Sequence, residues 1–193
     1  KYGVGLDNID LKALLSYKKN LGWFPDSNSL AVAELCVAAA IFLRRRAVEA
    51  MDLLYADRWD QLVGDQLSGA TVAIVGCGFV GSRTASLFSK FECQIIGVDI
   101  SEESQAKIDG TIQEFLPLDE ALGTADIISI HLPLTRETRN IFDAQKLSIL
   151  KPEAVVLNAG RGGLIDEVAV SEMLTNGRLR GAYFDVFSTE QRI

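Results

Sequence analysis

The segment Gly76-Cys77-Gly78-Phe79-Val80-Gly81 constrains the fold of this chain more than any other part of its sequence. It follows the apolar run Thr71 to Val75 and opens a helical pattern, which predicts a strand, a turn and a helix in that order. In such a turn Gly76 permits the tight bend, Gly78 lets the backbone approach a pyrophosphate, and Gly81 lets the helix pack closely on the strand. The helix N-terminus supplies unpaired N–H groups and positive partial charge. The segment therefore predicts a dinucleotide-binding loop.

An acidic residue completes this fingerprint. Asp99 follows the strand-like run Gln94 to Val98, a position from which its carboxylate can accept both hydroxyls of an adenosine ribose. The residues after it include Glu102 and Glu103, and no arginine stands there to receive a 2′-phosphate. Because clustered carboxylates would repel that phosphate, the sequence predicts NAD rather than NADP as the cofactor.

Size and charge narrow the class of protein. With 193 residues and 48% hydrophobic content, the chain can bury a substantial core. Its formal net charge of -7 disfavours binding to a phosphate backbone, and no stripe of lysine and arginine with interleaved aromatic residues is present. The sequence starts at Lys1 without methionine and stops at Ile193 just after a strand-like run. We therefore expect a part of a longer protein, with no nucleic-acid partner.

The apolar and sulfur-containing residues argue against a membrane or metal protein. The apolar run Leu30 to Leu43 is interrupted by Glu34 and is shorter than the roughly 18 residues that a membrane span needs. Cys36, Cys77 and Cys93 form no CxxC pair and no cluster with the single histidine. We expect a cytoplasmic protein without a membrane partner, disulfide scaffold or metal site. A helix N-terminus could lower the pKa of Cys77 and make it oxidisable, but a small loop residue is the favoured interpretation.

Strand-like and helical patterns alternate after the glycine-rich loop, as in βαβ units on a parallel sheet. The run Ile127-Ile128-Ser129-Ile130 does not alternate, which is typical of a strand covered on both faces. Asp166 is a candidate N-cap for a helix that Asn176-Gly177 ends. The pattern predicts an α/β fold, a doubly wound parallel sheet, with strands at Thr71–Gly76, Gln94–Asp99, Ile127–His131, Ala154–Asn158 and Gly181–Asp185 and helices at Phe79–Lys90, Leu118–Gly123, Gln145–Leu150 and Glu167–Thr175.

The segment before the loop is different in kind. Ser27-Asn28-Ser29 offers cap residues for a long helix from Leu30 to Arg46, and the charged and aromatic stretch Glu49 to Gln61 follows. A helix followed by such an arm is typical of an interface with another protein chain, although a helix packed on its own domain is an open alternative. Arg44-Arg45-Arg46 suggests a binding patch, but arginines at a helix C-terminus also complement its dipole, which is the interpretation we favour.

Ligands of open parallel sheets bind beyond the carboxyl ends of the strands. Four predicted strand ends carry unusual residues that would project toward one crevice together with the glycine-rich loop. These are Asp99, His131-Leu132-Pro133-Leu134-Thr135, Asn158-Ala159-Gly160-Arg161-Gly162-Gly163 and Asp185-Val186-Phe187-Ser188-Thr189-Glu190.

Together these segments resemble the D-isomer-specific 2-hydroxyacid dehydrogenase family, which includes 3-phosphoglycerate dehydrogenases and glyoxylate or hydroxypyruvate reductases. The resemblance runs nearly end to end through ordered motifs. They are Tyr2-Gly3-Val4-Gly5-Leu6-Asp7-Asn8-Ile9-Asp10, the hinge-helix signature Ala31-Val32-Ala33-Glu34, the loop His131 to Thr135 with Thr138, the segment Asn158 to Glu167, and the strand and turn Gly181 to Glu190.

The resemblance implies a Rossmann-type sheet and a division into two domains. Residues 1–24 would be the C-terminal remnant of a substrate-binding domain. Residues 25–193 would form the NAD-binding domain, with an N-terminal hinge helix and a dimerisation arm. A homodimer is implied, with Leu30 to Gln61 as its candidate surface.

Two catalytic residues are implied by motif position. Arg161 would bind the carboxylate and carbonyl oxygen of a 2-hydroxy or 2-oxo acid with its planar guanidinium. A structural salt bridge is the alternative, but glycines on both sides of Arg161 permit close approach of a ligand. Glu190 would orient the catalytic imidazole and favour its protonated form. Gln191 stands where the family usually has proline.

The cofactor-binding residues follow from the same motifs. Phe79 and Val80 would offer backbone N–H groups to the pyrophosphate, Pro133 and Thr138 would border the ribose and nicotinamide, and Asp185 would hold the carboxamide. The remaining residues expected to line the NAD site are Gly76, Gly78, Gly81, Asp99, His131, Leu132, Asn158, Ala159 and Gly160.

One departure from the family concerns the histidine. The only histidine, His131, matches the loop that lines the cofactor site, whereas the family's catalytic histidine lies downstream of the glutamate, beyond Ile193. We therefore expect an inactive nucleotide-binding fragment of an NAD-dependent oxidoreductase. An NAD-sensing regulatory protein, like the corepressors of the same fold family, is the alternative. The sequence does not identify the acid that is the substrate.

Overall fold

The computed structural model describes residues 1–6, 8–102 and 110–189. Its strands are β1 (Thr71–Val75), β2 (Gln94–Val98), β3 (Glu114–Phe115), β4 (Ile127–Ile130), β5 (Val155–Asn158) and β6 (Gly181–Phe184). In this part of the chain they form one six-stranded sheet in the order β3-β2-β1-β4-β5-β6, with every pair parallel. The chain winds outward from β1 in one direction and returns to add β4 on its other side. This confirms the predicted doubly wound, Rossmann-type sheet, and it puts the switch point between β1 and β4.

Helices cover both faces of the sheet. The helices of the described residues are α1 (Leu11–Ser16), α2 (Ser29–Arg44), α3 (Ala47–Tyr55), α4 (Phe79–Lys90), α5 (Leu118–Thr124), α6 (Ala144–Leu147) and α7 (Glu167–Thr175). Of these, α1 and α3 bury no residue and are not part of the layers on the sheet. Alternate residues of each strand enter two apolar clusters. Ile74 packs on the side of α2 and α4, where Phe88 is fully buried. Ile128 packs on the side of α5, α6 and α7. Burial on both faces explains why the strands are apolar without alternation.

The helix boundaries confirm some of the capping predictions and correct others. The Asp166 carboxylate accepts the N–H of Ala169 at 3.0 Å, and Gly177 ends α7 with φ +65°. By contrast, Asn28 makes no side-chain cap at α2, and the Ser29 hydroxyl donates to the carbonyl of Asp26 at 3.1 Å instead of accepting from the helix.

The predicted helix from Leu30 to Arg46 was too long at its C-terminal end. It ends at Arg44, and Arg46 takes a left-handed φ of +54° at the point where α3 begins. Two of the three arginines have specific partners in addition to any effect on the helix dipole. Arg44 is buried and donates to the carbonyl of Gln66 at 3.1 Å, while Arg46 pairs with Glu49 at 2.6 Å.

The segment before α2 contains little regular structure apart from α1. Tyr2 and Phe24 form an isolated parallel bridge with stacked rings, and the Trp23 indole donates to the carbonyl of Gly3 at 3.1 Å. The boundary near residue 24 stays a prediction. No helix in the described ranges is long and apolar enough to cross a membrane.

Candidate functional site

The glycine-rich loop between β1 and α4 is held by close backbone packing. Gly76 has φ +92°, and a Cβ there would lie 3.0 Å from the carbonyl of His131. A Cβ at Gly81 would lie only 2.0 Å from the carbonyl oxygen of Gly76. The fold itself therefore requires both of these glycines.

Gly78 is different, because neither packing nor backbone geometry requires a glycine there. Its backbone is extended, with φ -72° and ψ -158°, and an added Cβ would meet no atom within 4 Å. Open space beside a phosphate-binding loop is what close approach of a pyrophosphate needs. Gly78 thus has a geometry that suits a ligand rather than the protein core.

The start of α4 adds hydrogen-bond donors to this open space. The N–H groups of Phe79, Val80 and Gly81 have no acceptor among the described residues. The N-terminus of a helix of 12 residues also carries positive partial charge. An anionic group placed here would accept several hydrogen bonds at once.

Asp99 fixes the position of the loop relative to β2. Its Oδ2 accepts the N–H of Cys77 at 2.7 Å, and its Oδ1 accepts the N–H of Ser101 at 2.8 Å. Each carboxylate oxygen can accept more than one hydrogen bond, so this anchoring is compatible with ribose hydroxyls as further donors. Asp99, which the sequence analysis assigned to the same fingerprint as the glycine-rich loop, is therefore hydrogen-bonded to that loop directly.

Cys77 is a buried loop residue with an unreactive thiol. Burial, together with the nearby charge of Asp99, raises the pKa of the Cys77 thiol to about 12. The possible lowering of this pKa by the helix N-terminus is thus outweighed, and the thiol stays protonated at neutral pH.

His131, at the end of β4, faces the same loop. Its Nε2 lies 2.8 Å from the Ser129 hydroxyl, whereas its Nδ1 is buried without a hydrogen-bond partner among the described residues. Burial lowers the pKa of the ring to about 4, so the imidazole is neutral at physiological pH. A buried ring nitrogen without a partner is uncommon in proteins, and it sets this end of β4 apart.

The loop after His131 is closed by its own threonines. The Thr138 hydroxyl donates to the carbonyl of Pro133 at 2.6 Å, and the N–H of Thr135 donates to the same hydroxyl oxygen at 2.8 Å. Leu132 packs against the core, and a Cβ at Gly160 would lie 2.9 Å from its carbonyl oxygen. Thr138 therefore shapes the loop that presents Pro133.

Asn158 organises the segment after β5. The side chain is buried; its Nδ2 donates to the carbonyl of Arg161 at 3.1 Å, and its Oδ1 accepts the N–H of Gly160 at 3.2 Å. The N–H of Ala159 donates to the carbonyl of Ile130 at 3.2 Å and ties this segment to β4. The Asn158 side chain thus holds the backbone of the Gly160–Arg161 loop in place.

Arg161 is half-buried on this loop. Its Nη1 donates to the carbonyl of Gly160 at 2.8 Å. A Cβ at the next residue, Gly162, would lie 2.0 Å from the carbonyl oxygen of Phe187. The loop that carries Arg161 and the turn after β6 are consequently in direct backbone contact.

Asp185 begins the turn after β6. Its N–H donates to the carbonyl of Asn158 at 3.0 Å, and its Oδ1 accepts the Tyr183 hydroxyl at 3.2 Å. Further along this turn, Ser188 donates its N–H at 2.7 Å and its hydroxyl at 3.1 Å to the Glu167 carboxylate. The predicted catalytic residue Glu190 lies outside the described residues.

Three supporting residues were missed from the sequence: Ser129, Glu167 and Tyr183. Two of them could have been found by strand periodicity, because Ser129 and Tyr183 stand two residues before His131 and Asp185 and so share their faces. Glu167 ends the motif segment Asn158 to Glu167, but nothing in the sequence indicates its contact with Ser188.

These loops meet at the carboxyl ends of β1, β2, β4, β5 and β6, around the switch point of the sheet. The space at Gly78, the donors of α4 and the acid Asp99 fit the pyrophosphate and adenosine ribose of a dinucleotide. Among the described residues, no group of three or more His, Cys, Asp or Glu side chains could hold a metal ion. The class defined by the fold and the loop is that of a dinucleotide-binding domain.

Comparison with known proteins makes this class specific. Residues 37–193 match the model of the family "D-isomer specific 2-hydroxyacid dehydrogenase, NAD binding domain". The chain belongs to this family, and NAD is its cofactor.

Two curated relatives are similar over nearly the whole chain. A D-3-phosphoglycerate dehydrogenase of Mycobacterium leprae is 35% identical over 97% of this chain and 36% of its own length. A glyoxylate reductase of Thermofilum pendens is 34% identical over 98% of this chain and 58% of its own length. The chain thus spans only part of the relatives it matches.

Solved structures share the fold. A D-lactate dehydrogenase of Lactobacillus jensenii, solved with NAD+, has a TM-score of 0.84 and 26% identity, covering 96% of this chain and 56% of its own. An acyclic imino acid reductase, solved with NADPH and D-Arg, has a TM-score of 0.86 and 26% identity, covering 100% of this chain and 64% of its own. Similar domains therefore occur with either nucleotide, which makes Asp99 the residue to test.

Proposed function

We propose that the protein carrying this chain is an NAD-dependent oxidoreductase that transfers a hydride between the nicotinamide and C2 of a 2-hydroxy or 2-oxo acid. When bound, NAD supplies the hydride acceptor or donor. The chain's own residues hold the nucleotide at the glycine-rich loop and α4, and Asp185 holds the carboxamide of the nicotinamide.

The observation that carries this proposal is the position of Arg161. The glycines on either side of it do not leave open space for a ligand as the sequence suggested, because the backbone of Leu132 approaches Gly160 and that of Phe187 approaches Gly162. These contacts instead hold the Arg161 loop against the turn that begins at Asp185. A guanidinium there can bind the substrate carboxylate and stabilise charge that develops on the C2 oxygen.

The proton of the hydroxyl group requires another residue. A general acid works best with a pKa near the operating pH, whereas the pKa of His131 is lowered to about 4 by burial. His131 is therefore poorly suited, and we propose a histidine outside this sequence, oriented by Glu190. On this account the 193-residue chain alone binds NADH but does not reduce 2-oxo acids.

Substituting Arg161→Lys in the whole protein tests the role of the arginine. We expect kcat/KM for glyoxylate or hydroxypyruvate reduction to fall by about 100-fold or more, because lysine cannot form the bidentate contact. The Kd for NADH should not change.

Arg178→Lys is the matched control, because Arg178 is exposed at the opposite end of the sheet. Undiminished turnover by the Arg161 variant would contradict the assignment. NADH binding without turnover by the whole wild-type protein would favour the NAD-sensing alternative.

We also propose a homodimer through the segment Leu30 to Gln61. Its first part, α2, packs on its own domain, so the exposed surface is mainly that of α3 and the residues after it. In α3, no residue is buried, and Met51, Leu54, Tyr55 and the following Trp59 are large exposed side chains. Such a surface is typical of an interface. Sedimentation should show a dimer that Leu54→Glu dissociates; a monomeric wild-type protein at micromolar concentration would contradict this. Cytoplasmic location stays a prediction.

A further inference from the structure

Tyr183 stands in an unusual position for a surface tyrosine. It is half-buried on β6, and its side chain packs with the apolar cluster on the α2 side of the sheet. Asp185 follows two residues later on the same face, at the exposed end of the strand. The ring is thus anchored in the core while the hydroxyl reaches the edge of the site.

The hydroxyl has a single partner among the hydrogen bonds described, the Oδ1 of Asp185 at 3.2 Å. A carboxylate only accepts hydrogen bonds, and it has two oxygens. Donation to Oδ1 therefore limits rotation of the carboxylate and leaves Oδ2 as an acceptor for an N–H group of a ligand. The Asp185 backbone is fixed as well, because its N–H donates to the carbonyl of Asn158 at 3.0 Å.

We infer that Tyr183 is a positioning residue for the nicotinamide end of the site, because it orients the Asp185 carboxylate for the carboxamide. The inference rests on the proposed function, in which Asp185 holds that carboxamide. Orientation before binding reduces the entropy lost by an exposed side chain when the ligand arrives.

The electrostatic surroundings support this role. Burial, followed by the charge of Asp185, raises the pKa of the Tyr183 phenol, so it is a hydrogen-bond donor throughout the neutral range. Cys36 of α2 lies nearby, and its thiol pKa is raised to about 11 by burial, with a further increase from Asp185. Both neighbours of the carboxylate are thus uncharged at neutral pH.

The test compares NADH with ADP-ribose, which lacks the nicotinamide but keeps the adenosine, both riboses and the pyrophosphate. Calorimetric titrations would use the 193-residue chain as wild type, Tyr183→Phe, Asp185→Asn and the double variant. Tyr183→Phe keeps the ring and deletes only the hydroxyl. Tyr17→Phe is the matched control, because Tyr17 is 73% exposed and lies outside the site.

Tyr183→Phe should weaken NADH binding about threefold to tenfold, the scale of one partly exposed hydrogen bond, and leave ADP-ribose binding unchanged. In the Asp185→Asn background the same change should have less than about a twofold effect, because the partner is altered. Equal weakening of both ligands would show a purely structural role and overturn the inference.

Unchanged NADH binding by Tyr183→Phe, or equal effects of the change with and without Asp185→Asn, would also overturn it. These results differ from a failure of the proposed function. That failure would appear as wild-type protein that binds NADH no more tightly than ADP-ribose, or that binds neither NADH nor ADP-ribose. In either of those cases the inference falls together with the proposed function.

Discussion

The two ends of the parallel sheet differ in how their polar groups are satisfied. At the amino ends, Asp126 accepts the N–H of Thr71 at 2.9 Å and pairs with Lys151 at 2.9 Å. At the carboxyl ends, the first N–H groups of α4 have no acceptor among the described residues, and the His131 Nδ1 is buried without a partner there. Buried polar groups in proteins are normally paired. The carboxyl end therefore offers the N–H groups of a helix N-terminus to a bound anion, which supports the proposal of a cofactor site there.

A second concave surface lies at the opposite end of the sheet. A groove of about 680 Å³ lies near the amino end of β6, between α2, α3 and α7. Most of its charged groups pair with each other: Arg46 with Glu49 at 2.6 Å, and Arg180 with Glu153. Among the buried side-chain nitrogen and oxygen atoms of the described residues that line it, the Nε of Arg180 lacks a partner. Pairing of this kind leaves little for a polar ligand to recognise.

The largest effect is expected when the open space at Gly78 is filled. Gly78→Val should weaken NADH binding by about 100-fold or more, because the side chain would occupy the space that the pyrophosphate needs. The melting temperature should stay within a few degrees of wild type, since an added Cβ meets no atom within 4 Å. Calorimetric titration and thermal unfolding measure the two quantities.

Two control variants sharpen this comparison. Gly81→Ala should lower the melting temperature strongly, because its Cβ would lie 2.0 Å from the carbonyl oxygen of Gly76. Asp126→Asn, at the opposite end of the sheet, should lower stability and leave the Kd for NADH unchanged. If Gly78→Val instead lowered the melting temperature strongly and the folded fraction still bound NADH with wild-type affinity, the carboxyl ends of the strands would not be the cofactor site.

A smaller effect is expected from the pH dependence of stability at His131. Burial lowers the pKa of the folded-state imidazole from 6.5 to about 4. Between these values the unfolded chain binds more protons than the folded chain, so stability is full above pH 6.5 and is lost as the pH falls. The expected loss between pH 7 and pH 5 is about 2 kcal/mol.

Denaturant unfolding of wild type and His131→Asn at pH 7 and pH 5 measures this contribution. The stability difference between the two proteins should shrink or reverse at the lower pH, because only the wild type loses the histidine contribution. A difference that is the same at both pH values would indicate that the imidazole is not buried and neutral.

Much of the sheet could be predicted because strands covered on both faces are apolar without interruption. The strand β3 was missed, since two residues, Glu114 and Phe115, carry no periodicity. The end of α2 was placed two residues late because the left-handed turn at Arg46 depends on the start of α3 rather than on a glycine or proline.

The candidate site was predictable at positions where the local backbone, a single turn or strand end, determines which residue type is needed. Gly76 and Asp99 belong to one turn and one strand end, and the structure joins Asp99 to the loop through Cys77. The supporting contacts of Tyr183 and Glu167 depend on elements that only folding brings together. Asn158 was expected to line the cofactor site, which stays a prediction; its hydrogen bonds show that it shapes the loop of Arg161.

The most direct test of the account is a titration of the 193-residue chain with NADH and NADPH, followed by nicotinamide fluorescence. The account predicts saturable NADH binding that is at least about tenfold tighter than NADPH binding, because Asp99 would repel a 2′-phosphate. No saturable binding of either nucleotide would contradict the assignment of the carboxyl edge as the cofactor site. Equal affinity for both would contradict the role of Asp99.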